Sequence, residues 1–243
     1  MELAGRVALV TGGGRRVGRA LAEALGMAGA RVAVHYSASA AGADQTVQAI
    51  RAKGGEAESF PADLASAAAV APLIERTIAR FGGLDVLVNS AAVMERTPVG
   101  SVTAEQWDAM FALNLRAPFL LSQAAAPALG KRGGVIINMA DLAAFETWPG
   151  FIPHSITKAG IVQMTRALAR VLAPGVRVNA IAPGAVLLPD DWDETSGEHL
   201  EQTTPLRRLG SPDDVVGAML YLISADYVTG ETIIVDGGRH VRT

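Results

Sequence analysis

The fold is decided by residues 6–18, which read RVALVTGGGRRVG. The first half is a short apolar run, as expected of a strand that is buried on both faces of a parallel sheet. Glycines follow at once, and a helical pattern begins at about residue 17. Glycine permits a tight turn and a close approach of backbone amides to a ligand, and the helix dipole favours an anion there. The turn therefore indicates nucleotide binding. Its glycine spacing differs from the dinucleotide-binding pattern G-x-G-x-x-G, so a glycine-rich turn without a ligand is the alternative.

Strand and helix patterns alternate along the rest of the chain. Further strands are predicted at 31–36, 84–88, 135–138, 176–181 and 232–235, and a third strand near 56–60 follows the helix at about 41–53. Helical patterns lie between them, at about 41–53, 66–81 and 155–172, and a helix begins at Ser211-Pro212 with a serine cap and early acids. The sequence therefore predicts an α/β fold over residues 1–243. This fold is a single-domain, doubly wound, seven-stranded parallel sheet of Rossmann type, with helices on both faces.

Two segments depart from this regular pattern. Thr103 and Gln106 have capping-box spacing and open a long helix, which Pro118 should kink or break near Asn114. The segment at about 187–204 is polar and acidic. It predicts a lid or loop beside the carboxyl edge of the sheet, with a plain surface excursion as the alternative.

Composition narrows the classes of function. The net charge is −3 and no basic tract is present, which disfavours nucleic acid as a partner. The chain has no cysteine, so disulfides, thiolate metal sites and a cysteine nucleophile are excluded. No metal spacing relates the histidines, and no metal site is predicted. No apolar run reaches the length of a membrane span, so a cytoplasmic protein is the expectation.

The informative segments all follow strands. In such sheets a ligand binds beyond the carboxyl ends of the strands, where the strand order reverses. Segments 11–18, 89–92, 138–141 and 183–184 fall at those ends. They are therefore expected to lie around one ligand.

Charge at the end of the second strand bears on the type of cofactor. An acid there normally contacts the ribose 2′-hydroxyl of NAD. Residues 35–39 read HYSAS and hold no acid, whereas Arg15 and Arg16 stand in the glycine loop. A 2′-phosphate would find hydrogen-bond donors and positive charge, which predicts NADP(H) rather than NAD(H).

In this order and spacing, the motifs resemble the short-chain dehydrogenase/reductase superfamily over essentially the whole chain. The resemblance rests on the glycine loop, Asp63-Leu64, the segment from Asn89, Asn114, the pair at 154 and 158, Pro183-Gly184 and the terminal Asp236-Gly237-Gly238. It implies that the Asp63 pair contacts adenine, that the segment from Asn89 lies beside the ribose, and that Pro183-Gly184 flanks the nicotinamide. The expected cofactor-binding residues are Gly12, Gly14, Arg15, Arg16, Val17, Gly18, Tyr36, Ser37, Ser39, Asp63, Leu64, Asn89, Ser90, Ala91, Lys158, Pro183, Gly184 and Val186.

Within that superfamily, the chain resembles the pteridine reductase branch. Arg16 stands where the usual loop has glycine, and Asp141 stands where most members have the catalytic serine. The resemblance implies that both help to hold or protonate a pterin beside NADPH. Three positions depart from the branch, because Met94, Ala92 and Ala38 replace an aromatic residue, a serine and a basic residue.

The catalytic position of the superfamily is altered. A tyrosine is expected four residues before the lysine, yet the chain reads His154-Ser155-Ile156-Thr157-Lys158. Free imidazole has a pKa of about 6.5, against about 10 for phenol, so the two are different proton donors. The expected catalytic residues are Asp141, His154, Lys158 and Asn114. Three alternatives stay open: Asp141 is the acid with His154 as auxiliary, His154 donates through a water, or the chain binds NADP(H) and catalyses poorly.

The sequence thus predicts an NADP(H)-dependent oxidoreductase that transfers hydride to a C=N or C=O group, similar to pteridine reductases. A reductase of ketones, sugars or ketoacyl groups is the alternative enzyme, and a nucleotide-binding protein with little turnover is the alternative class. The helix at about 155–172 is apolar almost all round, which favours a homodimer or homotetramer. The expected substrate-pocket residues are Met94, Asp141, Trp148, Phe151, Leu188 and Trp192.

Overall fold

The computed structural model describes residues 1–187 and 194–241. Within them the chain forms one sheet in which all strands run parallel, in the order β3-β2-β1-β4-β5-β6-β7. The strands are β1 Val7–Val10, β2 Arg31–Tyr36, β3 Ala57–Pro61, β4 Val86–Asn89, β5 Val135–Met139, β6 Arg177–Pro183 and β7 Thr232–Val235. The predicted seven-stranded, doubly wound sheet is confirmed: β2 and β7 have the predicted bounds, and the ends of the other strands lie within two residues of the predicted ones.

Helices cover both faces of the sheet. They are α1 Arg16–Met27, α2 Ala40–Ala52, α3 Val70–Phe81, α4 Ala104–Phe111, α5 Ala117–Gly130, α6 Ile152–Leu172, α7 Glu194–Thr203 and α8 Pro212–Ser224. One apolar core joins the sheet to α1, α2 and α8, and a second joins it to α3 and α5. Buried residues such as Val10 and Leu9 alternate between the two cores, because successive side chains of a strand point to opposite faces. In the described part of the chain, no helix has the length and apolarity that crossing a membrane requires.

The helix that begins after Thr103 is interrupted just before Pro118, as the sequence predicts. Thr103 and Gln106 form the capping box that opens α4. A π-helical segment, Ala112–Arg116, then interrupts the helix, and Pro118 lies in the first turn of α5. Proline has no amide to donate and its ring crowds the preceding turn, so the α-helical pattern cannot run through it. Asn114 lies in the π-helical segment, which turns its side chain toward α6.

The polar segment after β6 is only partly irregular. Helix α7 occupies Glu194–Thr203, where the sequence favoured a loop or lid. Leu200 of α7 is buried, and this apolar anchor accounts for a helix in an otherwise polar segment. Positions 188–193 lie outside the described residues, and so do Leu188 and Trp192 of the expected substrate pocket.

Candidate active site

The glycine loop follows β1 and is held against the end of β4. The Thr11 hydroxyl oxygen accepts hydrogen bonds from Ser90 N at 2.9 Å and Ala91 N at 3.0 Å. Gly12 has a φ of +66°, and a Cβ there would lie 3.0 Å from Ala91 Cα. A Cβ on Gly18 would lie 2.3 Å from Gly12 O. These close backbone contacts explain why the loop needs glycine at both positions.

Helix α1 begins at this loop with an uncapped end. Arg15 is the cap residue, and its side chain forms no capping hydrogen bond. The first amides of a helix have no partner inside the helix, and the dipole makes that end positive. The loop and α1 together therefore form the kind of backbone cradle that binds a phosphate group.

The two loop arginines point to different parts of the site. Arg15 is exposed. Arg16 has a φ of +51°, in the left-handed region that favours glycine. Its Nη2 donates to Leu187 O at 2.8 Å, beyond the end of β6. Arg16 therefore contacts the segment on the substrate side, which leaves Arg15 as the clearer candidate for a 2′-phosphate.

The end of β2 carries no acid. Tyr36 ends the strand half-buried, Ser37 is exposed and Ser39 precedes α2. Gly14 packs on the start of α2, because a Cβ on it would lie 2.9 Å from Ala43 N. This edge is thus open and free of negative side chains next to the glycine loop.

Three expected cofactor residues use their side chains within the protein. Leu64 is 2% exposed and packs in the core that includes α3. The Asn89 amide donates to Asn138 Oδ1 at 2.8 Å, which joins the ends of β4 and β5. Val186 is buried in the opposite core. Any contact of Leu64 or Val186 with a nucleotide would therefore come from the backbone, whereas Asn89 Oδ1 is buried without a hydrogen-bond partner and can still accept one.

The remaining expected cofactor positions lie at the edge of the sheet. Asp63 is exposed, and its carboxylate accepts from Ala65 N at 3.0 Å. Pro183 ends β6. Gly184 follows it, and a Cβ on Gly184 would lie 2.8 Å from Asp236 Cβ. The C-terminal segment therefore closes this side of the site.

Helix α6 brings His154 and Lys158 together in its first two turns, one above the other. His154 Nε2 lies 2.7 Å from Asp141 Oδ2, and its Nδ1 lies 3.2 Å from Val93 O. Asp141 follows β5 and caps a short 3₁₀ turn, where it also accepts from Ala143 N. His154 is 2% exposed and the Asp141 side chain 21% exposed, so the carboxylate is the accessible member of the pair.

The charge of Asp141 is stabilised from several sides. Burial alone would raise the pKa of its carboxyl, but the hydrogen bond from His154, the positive charge of Lys158 and the Ala143 amide outweigh burial. The pKa of Asp141 is therefore lowered from its usual value. The carboxyl is ionised near neutral pH, so it is a poor proton donor by itself.

Lys158 is buried beside the end of β5. Its Nζ donates to Met139 O at 2.8 Å. Burial lowers the pKa of Lys158, and the nearby Asp141 charge opposes that shift. A buried ammonium with one carbonyl partner retains donors for further acceptors.

Asn114 reaches the site through the backbone of Val93. Its Oδ1 accepts from Val93 N at 2.9 Å and its Nδ2 donates to Val93 O at 2.8 Å. The Nδ2 also lies 3.5 Å from His154 Nδ1. Val93 O therefore faces both Asn114 and the imidazole, and it is a contact that the sequence analysis missed, because a backbone carbonyl leaves no residue-type signal.

The described part of the expected substrate pocket is apolar and partly exposed. Met94 is 44% exposed. Trp148 and Phe151 meet edge to face at 6.3 Å, and Trp148 Nε1 donates to Glu146. Among the described residues, no three His, Asp or Glu side chains converge as a metal ion requires.

The described features fit a dinucleotide. Glycines leave room for close approach at Gly12 and Gly18, the first turn of α1 is uncapped, and the end of β2 is free of acids. Lys158 and Asp141 lie at the same carboxyl edge, beyond the neighbouring strand β5. Strand order reverses at β1 and β4, which is where such sheets bind ligands.

Residues 13–240 match the family described as enoyl-(acyl carrier protein) reductase. A 3-oxoacyl-[acyl-carrier-protein] reductase of Synechocystis is 39% identical over 97% of each chain. Among solved structures, a double mutant of a Serratia marcescens short-chain dehydrogenase/reductase superposes with a TM-score of 0.93 and is 33% identical, over 99% of this chain and 100% of that one. A blue fluorescent protein from a metagenomic library, solved in complex with NADPH, gives 0.92 and 35% identity over 98% and 99%.

These similarities span nearly the full length of the chain and of its relatives, and they agree with the order of motifs from the glycine loop to the C-terminal glycines. The sheet order, the glycine loop and the lysine on α6 all belong to one arrangement. The chain is a member of the short-chain dehydrogenase/reductase superfamily of oxidoreductases.

Proposed function

We propose that this protein is an NADP(H)-dependent oxidoreductase that interconverts carbonyl and hydroxyl groups on a small, largely apolar substrate. The observation that carries the proposal is the His154–Asp141 pair, joined at 2.7 Å and placed beside Lys158 at the glycine-loop edge of the sheet. The bound nicotinamide supplies or accepts the hydride. The Synechocystis relative, a 3-oxoacyl-[acyl-carrier-protein] reductase, favours a carbonyl substrate over the pterin expected from the sequence.

The pair supplies the proton that hydride addition requires. Reduction of a carbonyl leaves negative charge on oxygen, and an acid must deliver a proton there. Asp141 is the more exposed member of the pair, so its carboxyl contacts the substrate oxygen. His154 is buried behind Asp141 and donates the proton to it. In the reductive direction, a doubly protonated His154 first passes its Nε2 proton to the ionised Asp141, which then delivers that proton to the substrate oxygen, while Nδ1–H donates to Val93 O. In the oxidative direction the ionised carboxylate accepts the hydroxyl proton.

This arrangement combines two alternatives left open by the sequence. Neither Asp141 nor His154 acts alone, because the proton passes between them across their 2.7 Å hydrogen bond. Lys158 keeps the carboxylate charged and offers its remaining donors to the ribose of the cofactor.

A second candidate reaction is reduction of a C=N group, as in the pteridine reductases that the sequence resembles. One observation favours it: an ionised Asp141 attracts a protonated C=N nitrogen and repels a neutral carbonyl oxygen. Against a pterin specifically stands Met94, which packs on a flat ring with less geometric definition than an aromatic residue.

Turnover on a substrate panel tests the proposal. NADPH consumption is measured with a β-ketoacyl thioester, a simple ketone, a cyclic imine and a dihydropterin. We expect the carbonyl compounds to be reduced. Activity on the imine or pterin alone would establish the second candidate, and NADPH binding with no turnover on any of the four would support a binding protein.

The choice of cofactor gives a mutational prediction. Arg15→Ala is expected to weaken NADP⁺ binding roughly ten- to a hundredfold, because a hydrogen bond to a charged group contributes about 1.5–3 kcal/mol. NAD⁺ has no 2′-phosphate, so its affinity should not change. Calorimetric titration of both coenzymes measures this, with Arg31→Ala, at the opposite end of β2, as the matched control. Equal losses for both coenzymes would contradict the assignment.

We also propose that α4, the π-helical segment and α6 contact a second copy of the chain. Phe111, Leu115, Phe119 and Met164 line an open groove there, together with Gly160, on which Leu115 packs. Phe119 is 42% exposed. A homodimer or homotetramer would cover these side chains.

A further inference from the structure

His35 is a buried histidine that the proposed reaction does not use. It lies near the end of β2 and is 2% exposed. Its Nδ1 lies 3.1 Å from Gly12 N, and its Nε2 lies 3.0 Å from Ala62 O. A backbone amide only donates and a carbonyl only accepts, so Nδ1 must be the acceptor and Nε2 must carry the proton. The contacts thus require a neutral ring in one tautomer.

The two contacts join the segments on either side of β2. Gly12 belongs to the glycine loop, and Gly13 N donates to the His35 carbonyl at 3.0 Å. Ala62 follows β3 and immediately precedes Asp63. One side chain therefore fixes the loop that receives phosphates relative to the strand end that would face the adenosine half of a dinucleotide.

Protonation would break one of these contacts. A doubly protonated ring has no acceptor for Gly12 N, and the buried amide would lose its partner. Burial lowers the pKa of His35, the Ala62 contact opposes that, and the positive charge of Arg76 on α3 lowers it further. The segments joined by His35 carry other charged side chains. The Asp63 carboxylate accepts from Ala65 N, and Arg15 and Arg16 of the glycine loop are exposed. Arg76 is the charged group that shifts the pKa of His35.

We propose that His35 is a positioning residue for the cofactor, whose neutral imidazole holds Gly12 and Ala62 in the arrangement that receives the dinucleotide and whose protonation weakens dinucleotide binding. The inference rests on the proposed binding of NADP(H). Because the native chain favours the neutral ring, the contribution to stability and binding is complete above the ordinary histidine pKa. It decreases as the pH falls below that value toward the lowered pKa of the folded state.

The test is the pH dependence of NADP⁺ affinity in His35→Asn and His35→Leu. Asparagine keeps an acceptor near Gly12 N and does not titrate, whereas leucine removes both contacts. We expect the wild-type dissociation constant to stay constant from about pH 8 down to the ordinary histidine pKa of about 6.5, and to rise as the pH falls further toward the lowered pKa of His35. His35→Asn should bind a few-fold more weakly at pH 8 and lose that part of the pH dependence. His35→Leu should bind roughly ten- to a hundredfold more weakly throughout.

The exposed His199 of α7 provides the control, because His199→Asn should keep the wild-type profile. The 2′-phosphate also titrates near pH 6, but it is common to all variants, so the difference between wild type and His35→Asn isolates the imidazole. If His35→Leu does not fold, the pH dependence of NADP⁺ affinity in His35→Asn still tests the inference. An unchanged pH profile in His35→Asn would overturn the inference, whereas failure of the wild type to bind at pH 8 would refute the proposed function.

Discussion

Asp141→Asn is expected to lower kcat/KM for the carbonyl substrate by roughly a hundredfold to ten-thousandfold, the usual contribution of a positioned proton donor. Asp141 is the accessible half of the His154–Asp141 pair, so an amide there cannot pass a proton to the substrate. Steady-state kinetics with saturating NADPH measures the effect, and it should fall mainly on kcat.

The asparagine variant should fold normally, because the hydrogen bonds around the site can be remade. Oδ1 still accepts from Ala143 N, and the new amide can donate to His154 Nε2. The imidazole then carries its proton on Nδ1 and donates it to Val93 O, 3.2 Å away. NADP⁺ affinity and the unfolding midpoint therefore separate a chemical defect from a structural one.

Glu75→Gln is the matched control, because Glu75 is an exposed carboxylate on α3 and far from the pair in sequence. It should behave as the wild type in all three measurements. Undiminished turnover in Asp141→Asn would mean that Asp141 does not carry the proton and that His154 delivers it through a water.

Lys158→Met should reduce kcat/KM by roughly a hundredfold. The lysine places positive charge beside Asp141 and donates to Met139 O. Loss of a charge-assisted contact to the cofactor accounts for about 1.5–3 kcal/mol. Because only one partner is replaced, Asp141 loses this counter-charge and Met139 O loses its donor, so the free energy of unfolding should also fall.

The same variant should change the pH dependence of activity. Lys158 lowers the pKa of Asp141, so its removal raises that pKa and Asp141 becomes protonated at a higher pH. In the oxidative direction, where Asp141 must be ionised to accept the hydroxyl proton, the acid side of the pH–kcat/KM profile should therefore move to higher pH in Lys158→Met. Lys53→Met, an exposed lysine after α2, is the control and should leave the profile in place. A profile that stays unchanged in Lys158→Met would show that the charge of the lysine does not reach the pair.

The parts of the fold that could be predicted from sequence are those dictated by local patterns. Short apolar runs identified the central strands, because strands buried on both faces have no polar side. Pro118 located the break beside Asn114, because a proline lacks the amide that a helical hydrogen bond needs, although Pro127 is accommodated within α5. Helix α7 was missed, because its buried anchor, Leu200, gives no periodic signal.

The sequence predicted which residues form the candidate site, but not how their side chains are arranged. The spacing of Asp141, His154 and Lys158 indicated that they meet, but not that His154 would be buried behind the carboxylate. Residue type suggested that Arg16 faces a phosphate, whereas its left-handed backbone turns it toward Leu187 O. His35 carried no signal, because its partners are a backbone amide and a backbone carbonyl.

Calorimetric titration of the folded chain with NADP⁺ tests the central claim, a dinucleotide bound across the glycine loop next to Lys158. We predict saturable binding of one NADP⁺ per chain, tighter than that of NAD⁺. Gly18→Ala should weaken it at least about tenfold, because the added Cβ would lie 2.3 Å from Gly12 O and displace the loop. A folded wild-type chain that takes up neither coenzyme, or a Gly18→Ala chain that binds as tightly as the wild type, would contradict the account.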